Sequence, residues 1–481
     1  MTSVPNARPG AVTRRRFLAG AAASSLALPI GPAVARAAAP DVALVARERT
    51  RRLPGCSAPS ALWSYAEGWP LVLRTARGAA FTADFTNGLD GHGTVHWHGV
   101  RVPHGMDGVP YVTQAPVLPG ETFRYAFAPP DPGTFFFHPH CNTAEALGRG
   151  LAGVLLVEDP RDDGRFDVDE VLALKDWRVR PDGSFEDFVT DAGAAKAGSF
   201  GTLRTVNGGE APTLVVAPNA RLRLRLLNLD ATRVVMVNLT GASGDAEAAV
   251  IATDGNACDP FPARGWRLGP AMRADLALIA PAEEGAELQL LDALPATNVL
   301  LARIVTQGPA LRRARDRSSL RLPPAELPEP DLAAAEPLAF SLLAGHADPA
   351  LEAWAAELGV GLDSLCVSSR IFWSINRVAW PGASHETLPP PLFALRSGRS
   401  YVAEIFNGTP HRHPMHLHGH MFKVIASSKE ARPPHWADTV LVDPKERITI
   451  AFVAGEPGDW MFHCHIIEHQ ETGMMGYLRV T

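Results

Sequence analysis

The sequence predicts an all-β chain built as three Greek-key β-sandwich domains. Three observations carry that expectation: a motif that recurs three times, side-chain alternation with a period of two, and an abundance of turn formers. Each copy of the motif is a strand-like stretch ending in Asn, followed by a second strand. The copies run from Leu71 to Gly99, from Leu214 to Gly241 and from Leu392 to His420, and they align on Asn87, Asn228 and Asn407. The alternation is plain in Phe123-Arg124-Tyr125-Ala126-Phe127 and in Leu222-Arg223-Leu224-Arg225-Leu226, where successive side chains fall on opposite faces of a half-buried sheet. With 42 Gly and 42 Pro, the chain favours short strands joined by turns over long helices.

Read from its start, the chain opens with Thr13-Arg14-Arg15-Arg16-Phe17-Leu18, an apolar Ala-rich stretch to about Ile30, and small residues through Ala33, Ala35, Ala37 and Ala39. This order resembles a twin-arginine export signal and predicts a periplasmic or secreted protein. The 481 residues suit about three domains of ~150 residues. The expected divisions are a signal over 1–39, a first domain over 40–160, a second over 161–310, a linker over 311–335 and a third domain over 336–481. No later segment approaches ~18 uninterrupted apolar residues, so no membrane span is expected. The net charge of −6, from 45 basic and 51 acidic residues without a long run of either, points away from nucleic acid and toward a small-molecule partner. Of five cysteines, Cys56, Cys141, Cys258 and Cys366 are free to pair in an oxidising compartment with three possible connectivities, and Cys464 is the odd one.

Histidine placement separates the copies. Counting nine and eleven residues on from the aligned Asn gives His96 and His98, then Val237 and Leu239, then His416 and His418. The outer copies also end alike, as Pro132-Gly133-x-x-x-Phe137-His138-x-His140 and Pro457-Gly458-x-x-x-Phe462-His463-x-His465. On a strand, residues two apart share a face, so each H-x-H pair presents two imidazoles to one cavity. Eight imidazoles exceed what one metal needs and suit three coppers with two or three each, leaving open positions for oxygen. The repeat supplies four imidazoles from each outer domain, which places the cluster at a pseudo-symmetric interface between them.

Cys464 lies between His463 and His465 and must face the other way, toward His413, His469 and the thioether of Met474. Two imidazoles, a thiolate and a weak axial Met compose a blue-copper electron-transfer site. At the equivalent first-domain offsets stand Gly93, Pro139, Ala144 and Arg149, so no such site forms there. Electrons are expected to enter at an exposed mononuclear copper and pass through Cys464 and the adjacent peptide to His463 and His465.

In these residues, from about 60 to 481, the chain resembles the multicopper oxidase family. The resemblance implies cupredoxin-like domains and four coppers per chain. It implies that His96 and His416 bind a type 2 copper, that His98, His138 and His465 bind one type 3 copper and His140, His418 and His463 the other, and that Cys464, His413, His469 and Met474 bind the type 1 copper. It further implies a laccase-like oxidase that takes single electrons from small phenols or aromatic amines and reduces dioxygen to water. A Met axial ligand suits such easily oxidised donors.

Reduction to water consumes protons, and Asp107 matches the family's acidic position after H-W-H-G. Many bacterial relatives carry a second carboxylate directly after the last type 1 histidine, where this chain has Gln470. An amide cannot relay a proton as an acid, so Glu468, Glu471 or another path must substitute. Substrate is expected at the edge of His469, while His92, His104, His411 and His420 fall off the template as bystanders or supports. The rival readings are a periplasmic oxidase of Cu(I) or Mn(II) in copper tolerance, a two-domain type of nitrite reductase, and a non-catalytic exported structural protein on the same fold. Nine scattered Met residues disfavour the first, the His-Cys-His segment the second, and the full ligand set the third.

Overall fold

The Asn that ends the first strand of each motif pins that strand end to the turn that follows. Asn87, Asn228 and Asn407 end the strands Phe81–Asn87, Arg221–Asn228 and Ser400–Asn407 and are buried. Each side-chain amide donates to two backbone carbonyls: those of Gly91 and Val117 (2.7 and 2.8 Å), of Arg233 and Leu268 (2.7 and 2.9 Å), and of His411 and Val442 (2.6 and 3.1 Å). One buried amide thus satisfies two carbonyls that the bend would leave unpaired.

The structure is a computed structural model that describes residues 40–242, 244–312, 320–344, 371–380 and 388–481. The expected export signal and Cys366 lie outside the described residues. Residues 41–481 form one compact unit. Six sheets pair as three cupredoxin-like sandwiches, and in each the opening strand runs parallel to the Asn-ended strand: Val42–Arg51 beside Phe81–Asn87, Val168–Trp177 beside Arg221–Asn228, and Glu336–Ala344 beside Ser400–Asn407. Among the described residues helix is confined to short pieces such as Thr143–Gly148, Asp191–Ala194 and Ile467–Glu471. None of the described helices is long and apolar enough to cross a membrane.

Period-two alternation sets what each face meets. In the first sandwich Phe81, Ala83 and Phe85 of one sheet pack on Trp97, Phe135 and Phe137 of the other, each large apolar side chain contributing roughly 1.5–3 kcal/mol by burial. With Trp97 turned inward, His96 and His98 turn outward from that core. In the third sandwich Met415 and Leu417 are the inward pair, His413 shares their face, and His416 and His418 take the other.

The middle copy departs from the template. Val237 and Leu239, at the aligned positions, lie in the core of their own sandwich, whereas Met236 and Asn238 are half-buried. The strand is therefore one residue out of step with its outer counterparts, which reverses its faces.

The connection after the middle sandwich is held to the first. Ala325 and Leu327 pack on the first core, and Glu326 pairs with Arg77 and Arg161, each at 2.6 Å. Cys56 and Cys258 each lie 3.9 Å from a backbone carbonyl, of Arg180 and Val250, rather than in a bridge.

Candidate metal centres

Strand register brings the H-x-H pairs together. In the first sandwich His96 sits opposite His138 across neighbouring strands, and in the third His416 sits opposite His463. The two sandwiches meet on these faces, with His96 stacked on His418 at 3.8 Å and His98 on His416 at 3.7 Å between ring centres. Ligand atoms converge within 4.8 Å in three imidazole sets: His96 with His98 and His416, His98 with His138 and His465, and His140 with His418 and His463. Exchanging the two sandwiches maps the last two sets onto each other.

A fourth set, His413, Cys464 and His469, lies on the opposite face of the same third-domain strands. The Cys464 Sγ is 3.5 Å from His413 Nδ1 and 3.7 Å from His469 Nδ1. Met474 is buried in the same cluster as Cys464, and its carbonyl accepts the Cys464 amide at 3.0 Å.

The donor chemistry fits metal ions at both places. The nitrogens His96 Nε2, His98 Nδ1, His140 Nε2, His416 Nε2 and His465 Nδ1 are buried without a hydrogen-bond partner, which is costly unless a cation takes their lone pairs. Facing nitrogens stand 3.0 Å apart in His418 and His463 and 3.4 Å apart in His138 and His465, the spacing expected of ligands that share an ion at ~2 Å. Burial pushes the pKa of His98, His138, His140, His418, His463 and His465 well below the ordinary value, and that of His416 below it, so these imidazoles are neutral. Burial pushes the Cys464 thiol up, so a thiolate there requires a bound cation.

Two stretches of the chain, residues 47–162 and 370–481, match the multicopper oxidase family. The crystal structure of a multi-copper oxidase from Pseudomonas thermotolerans is 35% identical, with a TM-score of 0.79 over 92% of this chain and 100% of that one. This chain belongs to the multicopper oxidase family. Multicopper oxidase MmcO from Mycobacterium tuberculosis is 27% identical over 96% of this chain and 95% of its own length, and Laccase-2 from Fomitopsis schrenkii is 26% identical over 80% and 78%. Membership makes the chain an oxidoreductase that uses dioxygen and small reducing substrates, with copper of types 1, 2 and 3.

Around the multicopper oxidase centres, Asp107 is buried, with Oδ2 at 2.8 Å from His418 Nδ1, Oδ1 at 3.3 Å from His96 Nδ1, and its carbonyl at 2.8 Å from that same nitrogen. The carboxylate alternatives at Gln470 sit elsewhere. Glu468 accepts from the Thr190 amide at 2.8 Å, from the Ser199 hydroxyl at 2.9 Å and from the Ser199 amide, while Glu471 accepts from the Ala144 amide at 2.7 Å. Neither His92, His104, His411 nor His420 joins a ligand set.

One expectation is overturned. His469 has no exposed edge: it is fully buried, its Nε2 lies 2.7 Å from the Lys196 carbonyl, and burial pushes its pKa down to about 3. The cause is a middle-domain segment around Asp191–Ala194 that docks on the Ile467–Glu471 helix, held by the Glu468 bonds and by Trp373 Nε1 donating to the Ala194 carbonyl at 2.5 Å.

Three residues escaped the sequence reading: Asp438, Arg273 and Asp254. Asp438 Oδ1 is 3.0 Å from His98 Nε2 and 3.4 Å from His416 Nδ1, and its carbonyl is 2.9 Å from that nitrogen. It stands to the third sandwich as Asp107 stands to the first. The available signal was Met106-Asp107-Gly108-Val109 against Ala437-Asp438-Thr439-Val440, each following an H-x-H-G segment.

Proposed function

We propose that this multicopper oxidase is exported and laccase-like, oxidising small phenols and aromatic amines. The export reading rests on the twin-arginine pattern of the first 39 residues. We assign His96 and His416 to type 2 copper, His98, His138 and His465 to one type 3 copper, His140, His418 and His463 to the other, and Cys464, His413, His469 and Met474 to type 1. The first, second and third domains are placed at 40–160, 161–310 and 336–481. Bound copper supplies one-electron redox chemistry and the place where dioxygen is reduced.

The chain's own residues do the rest. Cys464 sits on one face of its strand and His463 and His465 on the other, so a single backbone segment joins the two centres by the shortest covalent path. Asp107 Oδ1 is buried without a hydrogen-bond partner and can hold a proton beside His96.

The observation that carries the substrate reading is a cavity of about 420 Å³ beside the Cys464 site. Its walls include Phe200, Leu294, Pro295, Pro410, His411 and Ile466, and the Ile466 amide donates to Cys464 Sγ at 3.4 Å. An apolar cavity of this size suits a small aromatic ring, and it offers an approach that the covered His469 does not. Oxygen uptake by the copper-loaded protein should be fast with phenols and aromatic amines and slow with Cu(I) or Mn(II); the reverse ranking would make it a metal-ion oxidase. Cys464→Ser should be colourless and lose at least about 10³-fold in oxygen uptake, since truncating a group made for the reaction removes the path itself.

A further inference from the structure

The middle sandwich contributes no imidazole to the metal sets among the described residues, yet one of its side chains reaches the cluster's supports. Arg273 begins the strand Arg273–Ile279 and is fully buried. Its guanidinium grips Asp438 with both prongs, Nη1 to Oδ1 at 2.8 Å and Nη2 to Oδ2 at 2.6 Å, while Nε donates to the Thr134 carbonyl of the first sandwich at 3.2 Å. Asp254 of the middle sandwich accepts the amides of Arg273, Asp438 and Thr439 at 2.8, 3.2 and 3.0 Å. One buried network therefore touches all three sandwiches.

Asp438 is the group through which this network meets ligands. Both of its oxygens are held by the Arg273 guanidinium, and Oδ1 also faces His98 Nε2 at 3.0 Å and His416 Nδ1 at 3.4 Å. Asp438 Oδ1 already accepts from Arg273 Nη1, so the His98 Nε2 that faces the same oxygen is that ring's donor, and Nδ1, buried without a partner, is left toward the cluster. Gly99, directly after His98, records how closely the pair is packed. Its φ is +80°, and a Cβ there would collide with Asp438 and Arg273.

We propose that Arg273 is a positioning residue for the trinuclear site, fixing Asp438 so that His98 and His416 present the correct nitrogens to copper. The inference rests on the ligand assignment made above. A bidentate guanidinium holds both carboxylate oxygens in one plane, which a point-charge ammonium cannot do. The middle sandwich thereby shapes the oxygen-reducing centre without supplying a ligand to it.

The test uses the full copper-loaded chain as wild type, Arg273→Met, Arg273→Lys and Arg223→Met. Arg223 is a matched control: it is buried in the same sandwich and pairs with Asp275, away from the ligands. Copper per chain, the type 2 paramagnetic resonance signal, the type 1 blue absorbance and the melting temperature are read together. In Arg273→Met the affinity of the trinuclear copper should fall ~10–100-fold, with the blue absorbance kept, as expected on losing a group that orients a ligand. Arg273→Lys should fall between, and Arg223→Met should melt earlier with its type 2 signal intact.

An Arg273→Met protein with wild-type type 2 signal and copper content overturns the inference. So does one that loses type 1 and type 2 signals together in step with melting, as a merely structural residue would. If Arg273→Met does not fold, Arg273→Lys decides by the same two criteria. Wild-type protein that never holds four coppers would instead overturn the ligand assignment itself.

Discussion

Asp107 in the first sandwich and Asp438 in the third occupy equivalent places behind the cluster. Each gives its carbonyl to Nδ1 of its own sandwich's leading histidine, His96 at 2.8 Å and His416 at 2.9 Å. Each turns its carboxylate to an imidazole of the other sandwich, Asp107 to His418 at 2.8 Å and Asp438 to His98 at 3.0 Å. The frame is nearly twofold, but the charge is not. Asp438 is clamped by Arg273, whereas Asp107 Oδ1 is buried with no hydrogen-bond partner. The repeated scaffold thus carries two different carboxylates: one fixed and compensated by an arginine, and one with an unfilled acceptor, the place proposed above for the proton.

Acid should test the shared frame most severely. Seven cluster imidazoles, three from the first sandwich and four from the third, have folded-state pKa values pushed below 6.5 by burial. Below that value the unfolded chain binds protons that the folded one refuses, so stability is lost as pH falls. Each group contributes a slope approaching ~1.4 kcal/mol per pH unit, and seven together rival the whole stability of about 5–15 kcal/mol typical of a domain. Calorimetry of copper-free protein from about pH 7 to about pH 5.5 should show a steep fall in melting temperature, smaller with copper bound because metal competes with protons for the same lone pairs. The outer sandwiches should melt together. Two separate transitions, or a midpoint indifferent to acid, would break the picture of one interface holding neutral imidazoles from both sides.

The next largest effect should separate the two carboxylates. Asp107→Asn keeps an acceptor and the shape but removes the proton site, so oxygen uptake should fall ~10²–10⁴-fold with copper content and colour retained. Asp438→Asn should instead lower copper affinity ~10–100-fold before it touches turnover of the fully loaded fraction. The comparison would invert if Asp107→Asn came out copper-poor and Asp438→Asn came out fully loaded but slow.

What could be read in the sequence was what depends on short range. Period-two alternation puts His96 and His98 on one face and Cys464 opposite His463 and His465 whatever the rest of the chain does. The three aligned Asn residues marked the sandwiches because each does the same local job at a strand end. Offsets failed wherever loops differ in length. Asp107 follows His98 by nine residues, but Asp438 follows His418 by twenty, because the strand Phe422–Ser427 and its partner His435–Ala437 intervene. The face reversal at Val237 has a similar origin, a one-residue slip that apolar residues conceal. Arg273 and Lys196 were out of reach for a different reason: the residues they contact, Asp438 and His469, lie 165 and 273 positions away along the chain, and their own domain has no metal motif to draw attention to it.

The smallest effect is expected from planting the third domain's thiol in the first. Pro139 lies between His138 and His140 as Cys464 lies between His463 and His465, and the carbonyls of both accept from the preceding His Nδ1 at 3.0 Å. Pro139→Cys therefore puts Sγ on the proper face. The imidazoles and thioether that would complete a site are missing, since Gly93 and Ala144 hold the places of His413 and His469, and Arg149, in the place of Met474, is committed to Glu145 at 2.7 Å. Room is missing as well, because a Cβ on Gly93 would come within 3.1 Å of Phe85 and 3.2 Å of Asn87. The variant should show the wild-type blue absorbance and copper count, with oxygen uptake unchanged within about twofold, because the carbonyl that holds His138 belongs to the backbone and stays. Extra blue absorbance from this one change would mean that a thiolate alone suffices, and the asymmetry between the two sandwiches would shrink from four positions to one.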